Sequence, residues 1–349
     1  MKQYLNGALS ALLASCIFGS SMWWVVLATR AGWGNYALGF VSAGLGGLAS
    51  QAAYRFSRQA RENRYPKKHL NFAQLWPSLR IGLVLFGANV SMFLALRWVE
   101  PPVVAFFAGL QVLWVTVIEL FLRQLRLNIW LGSSILLCLT GILFINEIPV
   151  FTNSGFHLQL DSYNMANTFA ILTGMLFGLS IYWIRRIRKS DGQGQASNPP
   201  SEPAQMTALL NSVISTGNFL IVLGFMANAL LQGAETYLLT AGFVPFPSFS
   251  PFAGVGPAGP QAWLPWLYPV LLGLGSFFGA TLLQIHAQKY LGGTQVGILM
   301  ALQPISTIAL GTLLFGFSLS LNQTIGGTML LAASIISIAA SSHAPEISK

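Results

Sequence analysis

Long runs without a charged residue alternate with short polar breaks along this chain. A bilayer core of about 30 Å takes roughly 20 apolar residues to cross as a helix. Ten windows are about that long: 5–29, 36–54, 78–98, 102–122, 128–147, 165–184, 206–231, 264–288, 294–316 and 322–341. No water reaches that depth to pair with an open backbone, so each run is expected to close its own hydrogen bonds as a helix. The pattern predicts an all-α integral membrane protein with ten transmembrane helices. In the first run Leu13-Ala14-Ser15-Cys16 resembles a lipoprotein cleavage box. The apolar stretch continues to Leu27, so it reads as a span and not as a signal that ends at the cysteine.

Two connections differ from the other breaks. Residues 190–205 contain Pro199, Pro200 and Pro203 and read as a linker between halves. In 233–262, prolines argue against a helix while Phe243, Phe246, Phe249 and Phe252 recur by threes. That stretch is either a lid over a cavity mouth or a loop resting on the membrane interface.

Composition narrows the class. Only 8% of the 349 residues are charged, against about 25% in an ordinary globular domain, so a water-covered enzyme is excluded. The net charge of +9 would suit nucleic acid, but the cations sit in the breaks with no basic and aromatic groove beside them. They read instead as orientation signals. With the N-terminus in the cytoplasm, all 18 Lys and Arg except Arg30 and Arg97 fall on the inner side. Both termini are then cytoplasmic, and the expected location is the plasma membrane, a bacterial inner membrane. Cys16 and Cys138 lie in separate apolar runs, which supports neither a disulfide framework nor a thiolate metal site.

The halves resemble each other. At an offset of 159, Ala11, Phe18, Gly19, Ser21 and Trp24 fall on Ala170, Phe177, Gly178, Ser180 and Trp183. At an offset of 192, Phe86-Gly87-Ala88 falls on Phe278-Gly279-Ala280, and Leu110-Gln111 on Leu302-Gln303. The fifth and tenth runs match at 194, with Leu127-Asn128 and Gly132 on Leu321-Asn322 and Gly326. Five runs per half is an odd number, so the second repeat would cross the membrane upside down. Residues 1–150 form the first five-helix repeat and 151–349 the second. Such inverted repeats suit alternating access around a midplane site.

These residues resemble the drug/metabolite transporter superfamily, in its ten-helix EamA-like branch. Ile17-Phe18-Gly19-Ser20-Ser21 looks like the opening helix, and Leu176 through Trp183 with Ile184-Arg185-Arg186 is similar to the opening of the second repeat. Gln303-Pro304 through Gly316, Leu319, Leu321 and Gly326 resembles its end. The chain departs from the family where members often carry a Gly-Glu pair after the fourth helix of each repeat. Those glutamates would fall at Arg123 and Phe317. The resemblance implies a pocket lined by runs 1, 3, 4, 6, 8 and 9. It implies cargo among amino acids, other metabolites, nucleotide sugars and lipophilic drugs.

Polar groups inside lipid cost several kcal/mol when unpaired, so their positions carry information. Gln111 and Gln303 correspond across the repeat, and Asn89 faces Thr281 with Gln284 one turn on. They read either as substrate contacts or as hydrogen-bonded glue between helices. Trp24, Trp183 and Tyr182 could sandwich a planar or cationic substrate, or belong to the interfacial aromatic belt. Glu119 is a carboxylate well inside a run and the candidate for ion coupling. Four residues before Arg123, it also has the spacing of a structural helix pair. Pro304 would loosen the ninth run near its middle.

Together these readings predict a secondary active transporter, an exporter of small amphipathic metabolites or drugs, with proton coupling resting on Glu119. No Walker-type phosphate loop is present, so ATP does not drive it directly. The alternatives are a membrane-embedded enzyme or a non-catalytic membrane scaffold, but the nine scattered acidic residues give little from which to build an active site. The expected partners are the lipid bilayer, a small-molecule substrate and a second copy of the chain. Nucleic acid, cofactors and metals are not expected.

Overall fold

The computed structural model describes residues 2–59, 72–96, 101–122, 129–145, 149–152, 155–158, 165–192, 203–232, 264–316 and 320–342. The loop 233–262, Arg97, Arg123, Phe317 and most of the linker 190–205 lie outside them. The helices are α1 (Lys2–Arg30), α2 (Asn35–Gln59), α3 (Phe72–Ala95), α4 (Pro101–Gly109), α5 (Gln111–Phe121), α6 (Ile129–Ile145), α7 (Met165–Gly192) and α8 (Pro203–Gln232). Next comes α9 (Leu264–Leu271), which runs through a π-helical segment, Leu272–Ala280, into α10 (Thr281–Ala287). The chain continues as α11 (Gly293–Met300), α12 (Gln303–Phe315) and α13 (Leu321–Ser342). An antiparallel hairpin of β1 (Pro149–Thr152) and β2 (Gly155–Leu158) lies between α6 and α7, an addition to an otherwise helical chain.

Every hydrophobic window holds a helix or a broken pair of helices. Among the described residues, seven stretches are long and apolar enough to cross a membrane. They are Gln3–Arg30, Trp76–Ala95, Pro101–Phe121, Thr168–Ile187, Ala204–Gly224, Pro265–Ala287 and Gly293–Phe315. Large apolar side chains face outward, as lipid allows, and amides are buried within an otherwise apolar interior. Leu136, Leu220, Leu313 and Ile335 face outward, whereas Asn35, Asn89, Gln111, Asn211, Asn218, Gln284 and Gln303 are buried. The protein is a multi-pass, membrane-embedded helical bundle.

Packing follows small residues that let backbones approach. Helix α2 lies along α8 and the π segment: a Cβ on Gly46 would come within 2.5 Å of Phe277 Cβ, and Ser215 Oγ donates to the Phe40 carbonyl at 3.1 Å. Helix α6 lies along α13, where Gly141 faces the Gly326 carbonyl and Ser134 Oγ donates to the Ala333 carbonyl at 2.7 Å. Helix α1 packs against the π segment, α10, α11 and α12, while α7 packs against α3, α4 and α5. Some buried hydroxyls bond within their own helix, as Thr173 Oγ1 does to the Phe169 carbonyl at 2.8 Å, and others cross to a neighbour, as Thr307 Oγ1 does to the Gly19 carbonyl at 2.8 Å.

Three local departures from straight helix matter. The fourth window breaks at Leu110 and the ninth at Ala301-Leu302. At the first break Leu110 N–H donates to Phe107 at 3.1 Å and Leu113 N–H to Leu110 at 2.9 Å. At the second Leu302 N–H donates to Leu299 at 3.3 Å and Ile305 N–H to Leu302 at 3.0 Å. These are i→i−3 bonds, the tighter 3₁₀ pattern. The third departure is the π segment, where Thr281 N–H and Oγ1 both reach back five residues to the Ser276 carbonyl.

Candidate functional site between the broken helices

A partly enclosed cavity lies where the two breaks, the π segment and the small-residue contacts meet. Helix α1 supplies Phe18, Ser21 and Met22, and α3 supplies Leu85, Asn89 and Met92. Helix α5 adds Gln111, α7 adds Phe177 and Ile184, and α8 adds Asn211 and Ile214. Ser276, Phe277, Thr281 and Gln284 come from the π segment and α10, Met300 from α11 and Gln303 from α12. No charged side chain is among them. The wall is therefore apolar and aromatic with several amides and hydroxyls, as in small-molecule sites generally.

The cavity measures only about 40 Å³, against ~10–15 Å³ for a single water. It is smaller than a metabolite, so its walls must part to hold one. Among the lining amides, three buried atoms have no hydrogen-bond partner: Gln111 Nε2, Gln303 Oε1 and Asn211 Oδ1. A buried polar atom left unpaired costs about 1–3 kcal/mol, so these groups are disposed to accept a ligand's complementary atoms. Asn89 instead donates to the Leu85 carbonyl at 2.8 Å, and Asn211 Nδ2 to the Phe277 carbonyl at 2.6 Å.

The structure brings Gln111, Gln303, Asn89, Thr281 and Gln284 together and leaves three aromatic candidates outside. Positions 18, 21 and 22 define the cavity face of α1 at i, i+3 and i+4. Trp24 is outside the lining and packs against the cluster holding Met22, Val25 and Trp33. On α7 the face is set by Phe177 and Ile184, so Tyr182 is buried elsewhere, and Trp183 lines a separate groove with Arg80 and Arg186. Asn211 and Ser276 were not anticipated. Asn211 lies in the seventh run, which the family resemblance omits from the lining, and Ser276 is turned inward by the π segment.

Glu119 is not part of the lining. Its carboxylate, 1% exposed, pairs through Oε1 with Arg185 Nη1 of α7. Oε2 accepts Thr294 Oγ1 at 2.7 Å and the Thr294 backbone N–H at 3.3 Å. The carboxylate thus sits at the N-terminus of α11, where the helix dipole favours an anion. A Cβ on Gly293 would lie 2.5 Å from Oε1, so glycine makes room for it. The expected partner Arg123 lies outside the described residues. The observed cation comes from another helix, 66 residues away in sequence, beyond the reach of an i,i+4 rule.

No curated protein matches the chain. A solved structure described only as "Crystal structure of protein" superposes with a TM-score of 0.62 at 18% identity, covering 97% of this chain and 99% of that one. That likeness carries the fold alone. Residues 204–339, from α8 into α13, match the model of the EamA-like transporter family, part of the drug/metabolite transporter superfamily.

Proposed function

We propose that the chain is a secondary transporter that binds its substrate at the cavity between Gln111 and Gln303 and works by alternating access of two inverted five-helix repeats. The observation that carries this reading is the pair of matched helix breaks. Leu110 and Leu302 correspond at the repeat offset, as do Leu113 and Ile305, and each takes the same i→i−3 bond as its counterpart. Both breaks border the cavity.

The packing supports the same symmetry. Exchanging each element for its counterpart turns the neighbours of α1 (π segment, α10, α11, α12) into those of α7 (α3, α4, α5). It turns α3 on α8 into the π segment on α2, and it leaves the pairs α2/α8 and α6/α13 unchanged. The first helix of each repeat thus lies against the third and fourth of the other. The halves 1–150 and 151–349 are interleaved, which suits rocking about a shared site. All ten windows then span the bilayer, with both ends in the cytoplasm and the chain in the plasma membrane.

The uncharged lining favours a neutral or cationic amphipathic cargo over phosphorylated compounds, which call for a facing Arg or Lys. Binding would be read from the melting temperature of detergent-purified protein against lipophilic cations, amino acids, nucleosides and nucleotide sugars. A ligand at about 100 times its Kd adds roughly 2.7 kcal/mol of stability. The expected result is a shift with a neutral or cationic class that disappears in Gln111→Ala and in Gln303→Ala. A shift with phosphorylated ligands alone overturns the cargo class. A shift that survives both substitutions overturns the site. Uptake into and release from proteoliposomes, with and without a proton gradient, then tests export and proton coupling.

A further inference from the structure

A second cavity, about 340 Å³, opens on the side of the bundle between α3 and α7. Pro77, Arg80, Ile81, Trp183, Arg186 and Ile187 line it, and it shares no residue with the central cavity. Its position is set by the ends of two spans. Trp76–Ala95 begins at this groove and Thr168–Ile187 ends there, so it lies at the depth of lipid headgroups, at the basic end of the molecule. Arg80 and Arg186 are both exposed, and neither has an acidic partner among the described residues. The Arg80 guanidinium rests over the Trp76 ring, 5.0 Å from its centroid. Adjacent arginines on α7 divide their work: Arg185 reaches inward to Glu119, whereas Arg186 lines the groove.

The repeat supplies a control. At the corresponding offsets Pro77 and Trp183 become Pro269 and Trp24, but Arg80 and Arg186 become Leu272 and Leu27. Both copies keep the proline inside the helix and the indole. Only the copy at the basic end carries cations, so the two arginines are not a requirement of the scaffold.

We propose that this groove binds an anionic phospholipid, its phosphate held between Arg80 and Arg186 and its glycerol and upper acyl carbons against Trp183 and Ile81. Guanidinium suits phosphate because it donates in a planar fork. Indole suits the headgroup boundary, where an apolar ring meets a wet layer. Basic pockets between membrane helices recognise such headgroups. A lipid fits better than a soluble anion because the groove faces outward from the helix bundle and is half walled by apolar side chains. The proposal stands apart from the transport reading and needs only that the helices span the membrane.

The test uses the full chain in a neutral detergent, with phosphatidylglycerol or phosphatidylcholine added as defined lipid. Native mass spectrometry reads the bound lipid, and the melting temperature reads its effect. The wild type is expected to retain phosphatidylglycerol in preference to phosphatidylcholine and to melt higher with it. The double variant Arg80→Gln, Arg186→Gln should lose at least about tenfold in apparent affinity, the scale of charge-assisted contacts. Arg30→Gln, at the last residue of α1 and outside the groove, should retain the lipid fully. The double variant Arg80→Lys, Arg186→Lys keeps the charge without the fork and should bind with intermediate affinity, which separates a lost site from a damaged fold. Equal retention in the glutamine variant, or no preference between the two lipids, overturns the proposal. So does full reproduction of the thermal shift by inorganic phosphate alone, because the occupant would then be a soluble anion.

Discussion

Gly19 of α1 lies so close to Gln303 of α12 that a Cβ at position 19 would overlap both the Gln303 carbonyl oxygen and Ser306 Oγ. The counterpart pair repeats the relationship, with Gly178 of α7 placed so that a Cβ would lie 2.9 Å from the Gln111 carbonyl and 2.8 Å from Trp114 Cβ. Each opening helix therefore uses a glycine to press against the broken helix of the other half, beside its cavity-lining glutamine.

Gly19→Val and Gly178→Val should each destabilise the protein, because neither site can accept a side chain without moving a backbone that the break already positions. Overpacking of this kind costs about 1–3 kcal/mol. Gly132→Ala is the comparison, since nothing lies within 4 Å of its Cβ position. Melting temperatures in detergent should fall for the first two and stay near wild type for the third.

Gln111→Leu and Gln303→Leu distinguish a binding group from helix glue. A glutamine that bridges helices is missed when replaced, and stability drops. Here one polar atom of each amide is buried without a partner, and removing such an atom relieves a penalty of about 1–3 kcal/mol. Both variants should melt at or above the wild-type temperature while losing ligand-induced stabilisation. A clear fall in melting temperature in both would assign these residues to packing.

Much of this architecture was legible in the sequence because lipid imposes a simple rule on length and polarity. Helices occupy the hydrophobic windows, and the matched Gly19/Gly178 and Gln111/Gln303 pairs meet at two equivalent contacts. What was not legible depends on geometry that leaves no periodic trace. The break at Leu110 has no proline beside it, and a π turn shifts the facing of Ser276 without altering composition. The placement of the indoles depends on the same kind of geometry. Trp24 and Trp183 are conspicuous and repeat-related, yet neither is part of the cavity lining. Glu119 showed its i+4 neighbour Arg123 in sequence, whereas tertiary packing supplies Arg185.

The Glu119–Arg185 pair should respond unequally to removal of its two partners. Arg185 is 32% exposed and can turn towards water, whereas Glu119 is 1% exposed and cannot. Breaking a buried pair costs about 3–5 kcal/mol when the remaining charge stays buried. Arg185→Ala should therefore destabilise more than Glu119→Ala, and the double variant should be less damaged than the sum of the two. Thermal or denaturant unfolding of all four proteins reads the cycle. If Glu119 instead carries protons, Glu119→Gln abolishes the response of transport to a proton gradient while leaving exchange intact.

Pro304 is the obvious sequence explanation for the interrupted ninth span, and the structure argues against it. The same pair of i→i−3 bonds forms around Leu110, where Val112 occupies the position equivalent to Pro304. Proline here stands in the first turn of α12, a place where its missing N–H costs little and its fixed φ suits the helix. The close approaches of Gly19 and Gly178 are common to both breaks and are the better explanation. Pro304→Ala should therefore leave the melting temperature within about 1 kcal/mol equivalent of wild type, as a compatible proline contributes only 0.4–1 kcal/mol through the unfolded chain. Ligand-induced stabilisation should be retained. A collapse of binding in Pro304→Ala, with the fold intact, would show instead that the proline holds the ninth span open at its break.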